Sequence, residues 1–372
     1  MGSKGRIMRV FPGGNTSRGY YSFFDSIIRE DARHVYIIKG GPGTGKSTFM
    51  KSIGDQIIQL GYDLEYHHCS SAPDSLDALV IPDLRVAMLD GTAPHIMDPV
   101  IPGAVDKIIN LGDYWDEKRI TGHRAEIVDT NKETNRFFKT AYSLLKESKV
   151  AYDDLSCYIW DSIDKIRYNK ITRILIDSVF ADKAEETTYN PKTRHLFASA
   201  ISPVGIVDYV ETLLDEDMRV YSIKGSAGSG VKELIGRLAN DAGERGFYTL
   251  RLHCPYEPEK LDMLLIPSIG TAVLNSSQPH HLDIKKLNRV NIIEDIDLNT
   301  CIQKAELEPY GEEMQDARAR YRSLIDKAVH ALSKAMEIHD RIEGYYIDAM
   351  DFERVNQKKD ELLEKILDLV NK

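Results

Sequence analysis

Apolar positions along this chain follow two rhythms. Unbroken runs such as Val35-Tyr36-Ile37-Ile38 and Val86-Ala87-Met88-Leu89 predict buried strands. Phe49, Ile53, Ile57 and Leu60 recur at helical spacing and stop at Gly61, which predicts a helix between those strands. A strand over Ile7 to Phe11, a helix near Gly19 to Arg29 and a strand over Leu64 to Cys69 complete the pattern. Strands alternating with helices predict an α/β fold, a mostly parallel sheet with helices on both faces. The strand ending at Asp90 fits either beside the Val35 strand or one place removed. After about residue 115 the pattern changes to long charged helices. In the later part of the chain Met314, Ala317, Tyr321, Leu324, Ala328 and Ala331 alternate three and four apart. Ala335, Ile338, Ile342 and Tyr345 continue that heptad seam. A straight helix of that span protrudes far from a core, so a helical hairpin is expected, with turns near Gly344 or near Asp153 and Asp340.

The pattern is written twice. Ile38-Lys39-Gly40-Gly41-Pro42-Gly43-Thr44-Gly45 returns as Ile223-Lys224-Gly225-Ser226-Ala227-Gly228-Ser229-Gly230. The spacing that carries Gly40 onto Gly225 also carries His68-Cys69 onto His253-Cys254. It carries Leu76-Asp77 onto Leu261-Asp262, Ile81-Pro82 onto Ile266-Pro267 and Pro94-His95 onto Pro279-His280. Two residues further on in offset, Tyr158, Asp161 and Asp164 meet Tyr345, Asp348 and Asp351. A unit of about 186 residues therefore occurs twice in the 372. The expected domains are residues 1–186, with a helical extension over about 115–183, and 187–372, with one over about 302–371. The polar stretch Ala184-Glu185-Glu186-Thr187-Thr188-Tyr189-Asn190-Pro191 reads as the linker.

Between the Val35 strand and its helix lies Gly40-Gly41-Pro42-Gly43-Thr44-Gly45-Lys46-Ser47-Thr48. Gly40 to Ser47 match the G-x-x-x-x-G-K-[ST] phosphate-binding pattern. Glycines let successive backbone N–H groups face phosphate oxygens where a Cβ would block them. The helix start adds the positive end of its dipole. Lys46 is expected on the β- and γ-phosphates and the Ser47 hydroxyl on Mg2+. The second copy replaces Lys46 by Val231, Ser47 by Lys232 and Asp90 by Asn275. The joint loss groups these three residues. Asp90, at the end of an apolar strand, is the expected second Mg2+ ligand, and Lys46 and Asp90 are the expected catalytic pair. Nothing of that kind is expected at the second loop beyond a structural relic or a weak anion nest.

His68, Cys69, Asp77, Pro94, His95 and Asp98 all persist in the second copy, Asp98 as Asp283. Persistence where the Mg2+ chemistry is lost assigns them to strand ends and turns. His67-His68-Cys69 with His95 has no zinc-ligand spacing. Ser70 and Ser71 become Pro255 and Tyr256, which leaves them either near the nucleotide or capping a loop. The residue after Asp90 is Gly91 rather than a carboxylate. The group that orients an attacking water is then sought among Glu65, Asp74, His95 and Asp98, and slow turnover or activation by a partner is expected. The guanine-reading Asn-Lys-x-Asp is absent, since Asn131-Lys132-Glu133-Thr134 lacks the Asp, so ATP is favoured over GTP.

The totals narrow the partners. A net charge of −10 provides no general basic field, which argues against a nucleic-acid coat. No run of eighteen apolar residues predicts a membrane helix, and residues 1–6 lack a signal peptide's apolar core. Cys69, Cys157, Cys254 and Cys301 show no C-x-x-C pairing, which fits a reducing cytoplasm.

The loop from Gly40 to Thr48 resembles those of RecA/KaiC-type and AAA-type ATPases. Beyond it lie His67-His68-Cys69-Ser70-Ser71-Ala72-Pro73-Asp74-Ser75-Leu76-Asp77 and Asp90-Gly91-Thr92-Ala93-Pro94-His95, with Asp98-Pro99 and the degenerate second copy. Together these resemble a bacterial family of tandem P-loop ATPases, over nearly the whole chain. The resemblance implies an ATP-binding protein and names no substrate. The leading expectation is a cytoplasmic Mg2+-dependent ATPase or ATP-driven switch whose helical arms relay nucleotide state to a protein partner. A small-molecule or nucleotide kinase, and a nucleotide-binding scaffold without turnover, remain as alternatives.

Overall fold

The computed structural model describes residues 4–28, 31–93, 96–181, 192–277 and 290–370. In chain order the strands and helices of the first half are β1 (Ile7–Val10), β2 (Gly13–Thr16), β3 (Gly19–Ser22), β4 (His34–Lys39), α1 (Lys46–Gln59), β5 (Leu64–His68), β6 (Leu76–Ile81), β7 (Val86–Asp90), β8 (Asp106–Asn110), α2 (Glu117–Gly122), α3 (Arg124–Asp161) and α4 (Lys165–Val179). The second half repeats the theme with β9 (Thr193–Phe197), β10 (Ser199–Ser202), β11 (Gly205–Asp208), β12 (Arg219–Lys224), α5 (Val231–Glu244), β13 (Thr249–His253), β14 (Leu261–Ile266), β15 (Thr271–Asn275), β16 (Asn291–Asp297), α6 (Lys304–Leu307), α7 (Gly311–Ile347) and α8 (Phe352–Val370).

Two compact units result, and neither is a continuous half. One comprises Met1–Gly13, Ser22–Thr140 and His330–Lys372, the other Gly14–Tyr21 and Ala141–Val329. In the first unit six strands lie in the order β1-β5-β6-β7-β4-β8. Only β6 runs against the rest, pairing antiparallel with β5 and β7. One face carries Tyr36, Ile38, Tyr66, Leu79, Ile81 and Met88 onto Phe49, Met50, Ile53 and Ile57 of α1. The same core takes Val355, Leu362 and Ile366 of α8. The other face sets Val35, Ile37, Ala78, Val80, Ala87 and Leu89 against Phe24 and Ile27. Strand residues thus alternate between two buried faces, which explains their near-continuous apolar runs.

The second unit repeats the sheet as β16-β12-β15-β14-β13-β9, with β14 as its one reversed strand. Its core joins Leu234, Ile235 and Leu238 of α5 to Tyr168, Leu175 and Val179 of α4. Here lies the difference from the expected boundary at residue 186. The midpoint divides the repeat, but α4 completes the core of the second sheet and α8 that of the first. An amphipathic helix is stabilised by whatever apolar face it covers, and sequence proximity does not choose that face. The expected linker at 184–191 lies outside the described residues.

Three other expectations change. The segment read as a helix near Gly19 to Arg29 is a β2–β3 pair followed by one 3-10 turn at Phe24–Ser26. β6 and β14 were not anticipated, because Leu76–Ile81 is too short and, Asp77 apart, too continuously apolar to show a period. The hairpin turns expected near Asp153, Asp340 and Gly344 are absent. α3 runs 38 residues and α7 37 without a break, so these residues are helical. The chain turns instead just after Asp161 and Ile347, where Asp164 caps α4 by accepting from the N–H groups of Ile166 and Arg167.

The β6–β7 turn holds Arg85 at φ 55°, the one positive φ of a non-glycine residue among those described. The matching turn of the second unit holds Gly270 at φ 57°. A left-handed conformation crowds a Cβ and costs an L-residue about 1–2 kcal/mol. Arg85→Gly should therefore raise stability by about 1 kcal/mol in chemical denaturation, net of glycine's extra chain entropy. No change, or a loss, would show that the exposed Arg85–Asp31 ion pair outweighs the strain.

Candidate functional site

β4 sits between β7 and β8 and is parallel to both. Its register pairs Ile38 with Asp90, so Asp90 lies level with the end of β4, where the glycine loop begins. Of the two strand orders the sequence allowed, the adjacent one is present. Gly45 then opens α1 from the left-handed region at φ 85°, and Gly230 opens α5 the same way at 90°. Lys46 turns back over the loop. Its Nζ donates to the carbonyls of Gly40 at 3.0 Å and Gly41 at 2.8 Å, and stands 3.5 Å from Asp90 Oδ2. The Thr44 hydroxyl donates to Gly41 O at 2.8 Å, and Thr92 ties its own hydroxyl to Gly40 O and its N–H to Asp90 Oδ1. Ser47 Oγ accepts from the N–H of Leu76 at 2.9 Å, which leaves the hydroxyl a second lone pair. Thr48 is exposed on the first turn of α1, and Pro42 is half-buried in the loop.

The site also contains a residue that sequence reasoning had assigned to the scaffold. β6 pairs with β7 as Ala78 with Leu89, and the next step of that ladder sets Asp77 opposite Asp90. By strand alternation both carboxylates lie on the α1 face of the sheet, the face on which Lys46 and Ser47 open the helix. Burial first, and Asp90 second, push the Asp77 carboxyl up to about 8, against a hydrogen bond from Cys69 and the charge of Lys46. Asp77 is buried and Asp90 half-buried, and burial beside a second carboxylate favours the protonated form of Asp77. The signal was present in the sequence as two apolar runs joined by a tight turn, but strand direction had to be known to use it.

The second loop makes the comparison within one chain. Val231, in place of Lys46, is buried in the hydrophobic core. Asn275, in place of Asp90, donates its amide to Asp262 Oδ1 at 2.8 Å. Lys232, in place of Ser47, puts its ammonium 2.7 Å from Glu257 Oε2. Burial lowers that ammonium's pKa, but Cys254, Tyr152, Asp262 and Glu257 outweigh burial and hold it well above its ordinary value. The loop amides are capped as well. Gly225 N–H donates to Ser277 Oγ at 2.9 Å and Ser226 N–H to Asn299 Oδ1 at 2.8 Å. Among the described residues, the N–H groups of Gly41, Gly43 and Gly45 in the first loop have no such acceptor. The second unit thus removes the ammonium, pairs the residues in place of Ser47 and Asp90, and caps the N–H groups of Gly225 and Ser226.

Why the glycine skeleton survives there has a packing answer. A Cβ on Gly228 would lie 2.2 Å from Ser156 O, and one on Gly43 would lie 2.7 Å from Glu343 O. In each unit a long helix rests against the loop, so glycine is required whether or not anything binds.

The remaining candidates separate. Glu65 and His67 are buried together on the sheet face away from α1, His67 Nε2 3.3 Å from Glu65 Oε2. Asp74 offers its carbonyl to Lys51, and Asp98 is largely exposed with Lys39 at 3.6 Å. Pro94, His95, Pro279, His280 and Asp283 lie outside the described residues. His68 closes a strand-end loop through Pro73 O at 2.6 Å, and His253 does the same through Pro258 O at 2.6 Å. Burial lowers both rings to about 4, which keeps them neutral at pH 7. Ser70 is buried, and Ser71 is half-buried beside it. No helix among the described residues is long and apolar enough to cross a membrane. No family model, curated protein or solved structure matches this chain.

Proposed function

We propose that the chain binds ATP with Mg2+ at Gly40 to Thr48 and hydrolyses it slowly, as an ATPase or ATP-driven switch with one working loop. In this reading both units are P-loop nucleoside-triphosphatase domains, and the second is degenerate. One observation carries the reading. The first unit keeps an ammonium, a hydroxyl, two facing carboxylates and open loop amides together, whereas the second unit has lost the ammonium, pairs the residues in place of Ser47 and Asp90, and caps two loop amides. Lys46 exchanges its two carbonyl acceptors for phosphate oxygens, and the loop amides hold the same group. Ser47 and Asp90 are the residues that would hold Mg2+, through a hydroxyl and a carboxylate oxygen. Asp77, opposite Asp90 on the neighbouring strand, adds a second carboxyl at that place. When bound, Mg2+ would supply charge stabilisation for the transferring phosphoryl group.

The switch half of the proposal rests on α7. A Cβ on Gly41 would lie 2.7 Å from the Tyr346 ring, so a change at the loop reaches the end of that helix directly.

ATP binding and phosphate release should be measured for wild type, Lys46→Ala and Asp90→Asn, with and without Mg2+. Lys46→Ala should weaken ATP by about 10- to 100-fold, the worth of one or two charge-assisted hydrogen bonds. Asp90→Asn should retain Mg2+-free binding and lose the gain from Mg2+. In the wild type, ATP should slow amide exchange over 343–352. Undiminished ATP binding by Lys46→Ala would refute the proposal.

A further inference from the structure

The second unit contains a cavity of about 740 Å3 beside its closed loop. That volume is in the range of small-molecule sites. Leu155 and Ile159 of α3, Ile201 and Ile206 of the β10–β11 hairpin and Ile325 of α7 give it an aliphatic wall. Tyr152, Tyr256 and Tyr321 form an aromatic wall, their ring centroids 5.4 to 5.5 Å apart. Arg318 and Arg322, one helical turn apart on α7, stand exposed on its lining. Among the described residues neither guanidinium has a hydrogen bond or an ion pair. Lys224 also lines the cavity, but Asp295 holds it at 2.8 Å. Asp326 is the one carboxylate in the lining.

The repeat shows that the two arginines and two of the tyrosines have no counterparts in the first unit. The spacing that carries Tyr158 onto Tyr345 carries Asn131 onto Arg318, Thr134 onto Tyr321 and Asn135 onto Arg322. Ser71 corresponds to Tyr256. The same spacing relates the isolated bridges Trp115 to Met350 and Ile163 to Ile302, so the helices correspond in structure as well as in sequence. Where the loop lost its phosphate chemistry, neutral polar residues gave way to two arginines and two tyrosines. Exposed guanidiniums without acceptors, beside aromatic faces, suit a planar ring with an anionic substituent.

We propose that this cavity binds a small aromatic anion, a planar ring bearing a carboxylate or phosphate, independently of any nucleotide at the first loop. The ring lies against Tyr256 and Tyr321, and the anion takes Arg318 and Arg322. A nucleoside triphosphate held by the loop is not the occupant, because Asn299 and Ser277 already cap the loop amides.

The test uses the full chain and three probes, 1-naphthyl phosphate, 1-naphthoate and neutral 1-naphthol, followed by calorimetry. One or both anions should bind at least about tenfold more tightly than naphthol, and the preferred head group identifies the source. Arg318→Gln with Arg322→Gln should weaken the anion by at least about tenfold and leave naphthol unchanged. Both arginines are exposed, so the thermal melt should not move. Lys46→Ala should leave probe binding unchanged, which separates this site from the first loop. Absence of anion binding up to about 1 mM, equal affinity for naphthol, or full anion affinity in the double variant would each overturn the proposal.

Discussion

Glu257→Leu should destabilise the second unit by about 3–5 kcal/mol, the cost of leaving a buried ammonium without its carboxylate. Lys232 is nearly enclosed, and its closest charge partner is Glu257 at 2.7 Å. Lys232→Met should cost less. It leaves Glu257 within 3.4 Å of both Lys149 and Lys260, so the carboxylate keeps two cationic partners. The double variant, Glu257→Leu with Lys232→Met, should recover most of the loss, because an apolar pair of similar volume carries no desolvation penalty. Chemical denaturation of the four proteins gives the coupling directly. A loss below about 1 kcal/mol for Glu257→Leu would mean that Lys232 finds water or Asp262 instead, and that it is no internal substitute for a bound cation.

The second large effect is a pH dependence centred on Asp77. Its carboxyl stands at about 8 in the folded chain and at 3.8 when unperturbed. Between those values the folded state holds a proton that the unfolded chain has released. Stability conferred by that proton is complete below pH 3.8 and is lost as pH rises towards 8, by up to about 1.4 kcal/mol per pH unit. His68 and His253 act oppositely. Burial lowers them from 6.5 to about 4, so they add stability as pH rises across that lower window. Above pH 6.5 they are spent, and the decline due to Asp77 should stand alone. In Mg2+-free buffer the wild type should lose about 2 kcal/mol between pH 6.5 and 8, and Asp77→Asn should be flat there. Added Mg2+ should reduce the loss, since a cation held at Asp90 favours the ionised form of Asp77. A wild-type profile that parallels Asp77→Asn would show that the two carboxylates do not share a charge.

Much of the site could be read from the chain because its chemistry is local. Gly40 to Ser47 are consecutive, and the geometry that opens α1 at Lys46 depends on Gly45 alone. Asp90 was accessible through a different route, the repeat, which removed it together with Lys46 and Ser47. Asp77 shows what that route does not see. It persists in the second copy, and persistence suggested a structural duty. It persists there because Asn275 hydrogen-bonds to Asp262, whereas in the first unit the same position faces a second carboxylate. A residue can be retained while its partner, and hence its task, changes.

The helices show the complementary limit. The heptad seam announced helix, but the hairpin turns expected within it are absent, and its partner lay in other segments of the chain. α4 and α8 each present an apolar stripe, and a stripe specifies an amount of surface to bury without specifying the sheet that buries it. The sequence by itself determined the duplication, the alternating α/β elements, the glycine loop with its ammonium and hydroxyl, and the loss of that chemistry in the second copy. These follow from short-range spacing and from residue identity. Only the tertiary structure decided that β7 lies beside β4 and that Asp77 faces Asp90. It also decided that Lys232 and Glu257 close the second loop, and that each unit takes its last helix from the other half of the chain. Those outcomes depend on contacts between distant residues, where burial and electrostatic pairing choose among partners that local spacing cannot rank.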